Sequence, residues 1–317
     1  MTKPGGLLLV KSGGDIAVPE WQAGFREYAP DLQVRGWNDE SVDPDQVTYV
    51  LVWEPETGRI ASYRNLRVIC SSAAGVEHIV RDSTVPPDLP ILRMASQETS
   101  QTLGEYVCLA ALSILRDFPR MITAQAERRW DAYEPPHTAL DKRVGIMGIG
   151  TIGQVAARML GGLGFKLSGW ARTPKSIDTV DMFAGDDELP AFLSGCDILV
   201  NLLPDTPDTR GILDARRFAI MPRGAGVVNG GRGTAIIIPD LIAALDSGQL
   251  GAAMLDVFEQ EPLPTDNPAW THPRITVTAH LAGYASRRAR AASVVAALEA
   301  LARGETVPHL YNRARGY

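Results

Sequence analysis

Three side chains of complementary chemistry stand just beyond apolar runs in the second half of the chain. Arg232 follows Val227-Val228-Asn229-Gly230-Gly231, Glu261 follows Asp256-Val257-Phe258-Glu259-Gln260, and His280 follows Thr276-Val277-Thr278-Ala279. Taken singly they are an arginine that could pair with any neighbour, a loop glutamate before a proline, and a histidine closing a strand. Taken together they are the parts a ketone reduction needs. Hydride arriving at a carbonyl carbon leaves an alkoxide that must be protonated, and histidine is the natural acid near neutral pH. A carboxylate hydrogen-bonded to the other ring nitrogen favours the charged, donating form. The planar fork of an arginine can hold a substrate carboxylate and polarise the adjacent carbonyl.

A hydride source is signalled upstream. Arg143–Gly153 reads as a short apolar strand turning through Gly148, Gly150 and Gly153, the G-x-G-x-x-G spacing of a dinucleotide-binding turn, into a helix beginning near Gln154. The glycines serve a tight turn, close backbone approach to a pyrophosphate and close helix–strand packing. Thr151 and Ile152 lie within the turn, and the helix N-terminus presents N–H groups and a positive dipole end to phosphate. With 30 glycines in the chain the spelling alone is weak, so the surrounding elements must support it. An NAD-selective site carries an acid about 20 residues further on to bond the ribose 2′-hydroxyl. Here the second strand ends Trp170-Ala171-Arg172-Thr173-Pro174-Lys175, without that acid. Arg172, Thr173 and Lys175 suit a 2′-phosphate, so NADPH is the expected cofactor and NADH the alternative.

The elements that would position these residues form an α/β pattern. Short apolar runs at 7–10, 32–37, 49–53, 68–71 and 91–95 alternate with a helical stretch at 19–28 and turn residues. A long helical pattern over 100–118, stopped at Pro119, leads into a second series of six strands: 144–149, 167–170, 198–203, 226–229, 252–257 and 275–278. Helical stretches separate most of them, as βαβ units require. An alanine-rich helix over 286–302 returns the chain to the first series. The expected architecture is two α/β domains with parallel sheets, one flavodoxin-like and one Rossmann-like, with the active site in the interdomain cleft. Residues 1–100 plus 286–317 would form the substrate-binding domain and 101–285 the NAD(P)-binding domain.

Bulk properties narrow the classes. Hydrophobic residues make up 45% of the chain and charged residues 21%, as in ordinary globular proteins. A formal charge of −6 speaks against nucleic acid as a partner. Cys70, Cys108 and Cys196 show no C-x-x-C pairing, so no disulfide framework and no metal site is indicated. No apolar run reaches the roughly 18 residues of a membrane helix, and the N-terminal run is too short for a secretory signal. A cytoplasmic protein with no membrane partner is expected.

Across nearly its whole length the sequence resembles the D-isomer-specific 2-hydroxyacid dehydrogenases, in particular the glyoxylate/hydroxypyruvate reductase type. The resemblance rests on Val50-Leu51-Val52-Trp53, Ala74-Gly75-Val76, the Gly145–Gly153 turn, Trp170-Ala171-Arg172 and Asn201-Leu202-Leu203-Pro204. It continues through Arg232-Gly233, Ala253–Phe258 with Glu261-Pro262-Leu263-Pro264, His280, and the ending Arg313–Tyr317. It implies that Arg232, Glu261 and His280 are catalytic and that the main-chain amides of Gly75 and Val76 hold the substrate carboxylate. Asp256 would orient the nicotinamide carboxamide, and Leu203, Pro204, Asn229 and Gly230 would line the cofactor. Trp53 would wall the substrate pocket or serve as a core tryptophan at a strand end, and Tyr284 would narrow that pocket. A homodimer through the nucleotide-binding domain is implied, with an arm over 120–141 whose Trp130 has a plain packing role or reaches the partner's cleft. Three positions depart from the pattern: Ala279 where the reductases usually carry proline, Glu77 where many carry aspartate, and Tyr284 in a segment usually built of small residues. The implied reaction is NADPH-dependent reduction of small 2-oxo acids, glyoxylate or hydroxypyruvate, to glycolate or D-glycerate. The alternatives are a bulkier, phenylpyruvate-like 2-oxo acid, or a non-catalytic NAD(P)-sensing protein.

Overall fold

A computed structural model describes residues 3–94, 96–134, 137–307, 309–313 and 316. The chain falls into two compact units, Met1–Glu98 with Ala285–Tyr317, and Thr99–Tyr284.

The first unit opens with β1 (Gly6–Lys11), α1 (Val18–Tyr28), β2 (Leu32–Gly36), β3 (Val47–Val52), β4 (Val68–Ser71), the single turn α2 (Glu77–Val80) and β5 (Ile91–Leu92). Its five strands are all parallel, in the order β2-β1-β3-β4-β5. Leu7–Val10 are buried throughout because both faces of the sheet are covered, which is why the run reads as continuously apolar. One face packs Leu8, Val10, Trp21, Phe25 and Leu32, and the other packs Leu9, Trp37, Val50, Val52 and Ile69.

Helix α3 (Gln97–Leu115) leads into the second unit, followed by α4 (Phe118–Ala126). The long helix expected to run to Phe118 therefore ends at Leu115. Asp117 takes a left-handed conformation (φ 47°) that breaks it, and Pro119 sits in the first turn of α4, where its missing N–H costs nothing. The chain continues through β6 (Arg143–Met147), α5 (Thr151–Gly162), β7 (Lys166–Ala171), β8 (Asp181–Ala184), α6 (Gly185–Ser194) and β9 (Ile198–Asn201). Then come α7 (Ala215–Ile220), β10 (Ala225–Asn229), α8 (Ile238–Asp246), β11 (Leu250–Leu255) and β12 (Ile275–Val277). Finally α9 (Arg287–Ala302) rejoins the first unit, capped by Ser286, whose Oγ accepts from the Ala289 N–H. There Gly24 of α1 lets the two helices close: a Cβ on it would lie 3.3 Å from that of Ala291.

This second sheet is a doubly wound, Rossmann-type sheet of parallel strands in the order β12-β11-β10-β9-β6-β7-β8. It has seven strands rather than the expected six. The additional one, β8, is a short edge strand that begins with Asp181 and buries no residue fully, so it carries little apolar signal. Strand order reverses at β6, which pairs with both β7 and β9. Ligands of such sheets bind beyond the carboxyl ends at this switch point. Among the described residues, no helix is long and apolar enough to cross a membrane, and no group of His, Cys, Asp or Glu is placed to hold a metal ion.

Candidate active site

The turn after β6 is built from backbone contacts that only glycine permits. Gly148 has φ 95°, and a Cβ on it would lie 2.7 Å from the Leu202 carbonyl oxygen. A Cβ on Gly153 would lie 2.4 Å from the Gly148 oxygen, so this residue fixes the close passage of α5 over the turn. Gly150 differs. A Cβ there would meet nothing within 4 Å, so it borders open space in front of the helix. Helix α5 starts at Thr151, three residues earlier than expected, with Gly150 as its N-cap. No side chain caps it, and no acid lies in its first turn. Its N-terminal N–H groups and dipole thus face a space that a side chain would fill. That arrangement fits the pyrophosphate of a dinucleotide.

Beyond β7, Arg172, Thr173 and Lys175 are exposed, and Lys175 Nζ reaches the Ile149 carbonyl at 3.4 Å. On the other side of the turn, Asn201 and Asn229 end adjacent strands in register and are both buried. Asn201 Nδ2 donates to Asn229 Oδ1 (2.9 Å), which also receives the Gly231 N–H (3.2 Å). Asn229 Nδ2 donates to the Arg232 carbonyl (3.1 Å), and Asn201 Oδ1 accepts from the Leu203 N–H (3.2 Å). The two amides therefore shape the Leu202–Pro204 and Gly230–Arg232 turns.

The loops bearing Arg232 and Glu261 are locked together at Gly233. A Cβ on Gly233 would fall 1.9 Å from the carbonyl carbon of Phe258, so no other residue fits. The Phe258 N–H in turn donates to Glu261 Oε1 (2.9 Å). The other carboxylate oxygen, Oε2, lies 2.7 Å from His280 Nδ1. The Glu261 and His280 side chains are 34% and 46% exposed, so the pair sits at the surface of this unit with the ring accessible. Arg232 Nη1 also bonds the Gly231 carbonyl (2.8 Å).

His280 is held at φ 55°, a left-handed conformation that is strained for a residue bearing a Cβ. Its N–H donates to the Asp256 carbonyl (2.8 Å). The Asp256 carboxylate, 1% exposed, accepts from Thr278 Oγ1 (2.6 Å) and the Leu281 N–H (2.8 Å) on one oxygen. Its other oxygen takes the Ala282 N–H (2.9 Å). Sequence reading assigned Asp256 to the cofactor and passed over Thr278 and Tyr106, whose hydroxyls are 3.0 Å apart. A hydroxyl residue two places before a strand-end histidine was the available signal.

Of the remaining residues singled out from the sequence, Trp53, Gly75 and Val76 lie in the first unit and Tyr284 in the second. Trp53 follows β3, is 41% exposed, and packs against His78 with ring centroids 4.5 Å apart and the planes tilted by 45°. Burial pushes the His78 imidazole below its ordinary value. Gly75 and Val76 follow β4, and among the described residues their N–H groups donate to nothing. The loop is shaped from beneath by Ser71 Oγ, which donates to the Gly75 carbonyl (2.7 Å). Tyr284, 57% exposed, ends the second unit, and its carbonyl accepts from Thr102 Oγ1 (2.6 Å).

Comparison with known proteins finds similar chains. The family described as D-isomer specific 2-hydroxyacid dehydrogenase, NAD binding domain, matches residues 108–282. The chain is 37% identical over 303 residues to the glyoxylate/hydroxypyruvate reductase A of Serratia proteamaculans (strain 568), covering 94% of this chain and 96% of that one. Among solved structures it is similar to a D-isomer specific 2-hydroxyacid dehydrogenase from Xanthobacter autotrophicus Py2 in complex with NADPH and MES. The TM-score is 0.93 and the identity 39%, covering 99% of this chain and all (100%) of that one. An NADPH-dependent glyoxylate/hydroxypyruvate reductase from Sinorhizobium meliloti, in complex with NADP and sulfate, matches with TM-score 0.91 and 32% identity over 98% and 100% of the two chains.

Proposed function

The chain belongs to the D-isomer specific 2-hydroxyacid dehydrogenases, and we propose that within that family it is an NADPH-dependent reductase of glyoxylate and hydroxypyruvate. A nicotinamide cofactor and a small 2-oxo or 2-hydroxy acid are accordingly its reactants. The observation that carries the proposed mechanism is the 2.7 Å contact between His280 Nδ1 and Glu261 Oε2. With Nδ1–H committed to the carboxylate, Nε2 is the nitrogen that exchanges a proton with substrate. Arg232 clamps the 2-oxo acid by its carboxylate and draws charge toward the carbonyl oxygen. A reduced nicotinamide dinucleotide held at the Gly148–Gly153 turn would supply the hydride for C2. His280 gives the Nε2 proton to the resulting oxygen and is left neutral, with Glu261 still accepting from Nδ1.

Support for NADPH over NADH comes from the end of β7, where Arg172, Thr173 and Lys175 stand and no acid does. The two similar structures that hold NADPH and NADP point the same way. A homodimer through the arm over 120–141 is part of the proposal. Its Trp130 is 95% exposed on a segment stiffened by Arg120 and Arg129, both paired with Asp131. These guanidiniums hold the Asp131 carboxyl well below the usual carboxylate range.

The test is oxidation of NADPH and of NADH with glyoxylate, hydroxypyruvate and phenylpyruvate, alongside light scattering. The proposal expects the highest kcat/KM for NADPH with a small acid, and a dimer mass. Preference for phenylpyruvate would replace the substrate, and no turnover of any 2-oxo acid would remove the function.

A further inference from the structure

The segment Thr278–Tyr284 carries the proton donor, yet it has no regular secondary structure and holds His280 in a strained conformation. Something must over-determine it. Two elements do so. From below, Asp256 takes four hydrogen bonds from the segment: the His280 N–H at its carbonyl, and the Thr278 hydroxyl and the Leu281 and Ala282 N–H groups at its carboxylate. From the side comes helix α3. Its residues Thr99, Thr102, Leu103 and Tyr106 are spaced i, i+3, i+4 and i+7 and so share one face. That face meets the segment along its length. Tyr106 reaches Thr278, Leu103 and Thr99 lie 3.3 and 3.5 Å from the position a Cβ on Gly283 would take, and Thr102 donates to the Tyr284 carbonyl.

The direction of the shared proton chain can be worked out. Thr278 has one hydroxyl proton, and a carboxylate oxygen 2.6 Å away accepts it. In its 3.0 Å contact with Tyr106, Thr278 is therefore the acceptor and the phenol the donor. Burial pushes the Tyr106 phenol above its ordinary value, so it keeps that proton throughout the working range. The order is Tyr106 O–H to Thr278, then Thr278 O–H to Asp256. Thr278 is thus hydrogen-bonded to both supports.

We propose that Tyr106, Thr278 and Asp256 are positioning residues for His280, forming a splint between α3 and the end of β11 that holds the imidazole where it meets Glu261. The inference rests on the reading of His280 as proton donor. It differs from a merely structural role in predicting loss concentrated at residues 279–283 and in kcat. Thr278 is the point to test, because valine keeps its shape and removes the hydroxyl, while serine keeps the hydroxyl.

The experiment is amide hydrogen exchange followed by mass spectrometry on the full-length protein, paired with steady-state kinetics, for Thr278→Val, Thr278→Ser and Tyr106→Phe. In Thr278→Val, amides of residues 279–283 should exchange about tenfold faster or more, while those of β6 and α5 stay at the wild-type rate. The kcat with a 2-oxo acid should fall about 10- to 100-fold, with the NADPH KM moving less than about threefold. Thr278→Ser should restore both quantities, and Tyr106→Phe should show the same pattern with smaller amplitude. Unchanged exchange in Thr278→Val, acceleration spread equally over the unit, or failure of serine to restore would each overturn the splint. If wild type turns over no 2-oxo acid, the functional reading fails by itself, and the exchange measurements still decide whether the splint holds the segment.

Discussion

Glu261 reaches His280 Nδ1 with one carboxylate oxygen while the main-chain N–H of Phe258 holds the other. The acid is thus aimed by its own loop before it meets the histidine. Replacing it with glutamine forces a choice. If the amide oxygen stays on the Phe258 N–H, the NH₂ turns toward Nδ1 and favours a neutral ring with its proton on Nε2. If the amide flips, the loop bond is lost. Either way the charge-assisted pair is gone. Glu261→Gln should lower kcat for reduction by about tenfold or more, with a smaller change in substrate KM, as steady-state kinetics will show.

Gly150 separates cofactor binding from folding. A Cβ on it meets open space, whereas one on Gly153 meets the Gly148 oxygen at 2.4 Å. Gly150→Val should therefore keep the melting temperature of the cofactor-free protein within about 2 °C of wild type while abolishing the rise on adding NADPH. Gly153→Ala should lower the melting temperature itself, by an amount matching about 1–3 kcal/mol of overpacking. Thermal melts with and without NADPH distinguish the two.

Arg172 is the residue on which the proposed cofactor preference rests. Arg172→Ala should raise the NADPH KM by about tenfold or more and leave the NADH KM within about threefold, since only NADPH carries the phosphate lost to the guanidinium. Equal effects on both cofactors would remove Arg172 from the 2′-phosphate site.

Glu56 gives the first unit a pH-dependent anchor. Burial opposes its ionisation, but Lys11 Nζ at 2.9 Å and Trp37 Nε1 at 2.7 Å outweigh it, and the carboxyl is held at about 2 against an ordinary 4.5. A folded-state value below the unfolded one means stabilisation that is complete above pH 4.5 and lost as pH falls toward 2. The side chain is 55% exposed, so solvent screening keeps the effect small. Melting temperatures of wild type and Glu56→Gln should differ most near neutral pH and converge only as pH falls toward 2.

Strands β1, β6, β9 and β10 were legible because both faces of each parallel sheet are covered, which turns a strand into an unbroken apolar run. β8 was not, because an edge strand half open to solvent can be as polar as Asp181 allows. The break between α3 and α4 was misplaced onto Pro119. The left-handed Asp117 that makes it has no compositional mark. Arg232, Glu261 and His280 could be picked out because residue chemistry and strand-end position coincide in each. The clamp of Asp256 on Thr278, Leu281 and Ala282, like the Asn201–Asn229 pair, depends on sheet register across more than twenty residues. Local spacing carries no trace of such a contact.

The proton donor is the centre of the mechanism, and one comparison tests it: NADPH oxidation by wild type and His280→Ala with glyoxylate and hydroxypyruvate, with NADPH binding measured on both proteins. Wild type should turn over at least one of the two acids. His280→Ala should bind NADPH as wild type does and lose about 10²- to 10⁴-fold in kcat. Turnover by His280→Ala within a few-fold of wild type would contradict the assignment of His280 as the acid.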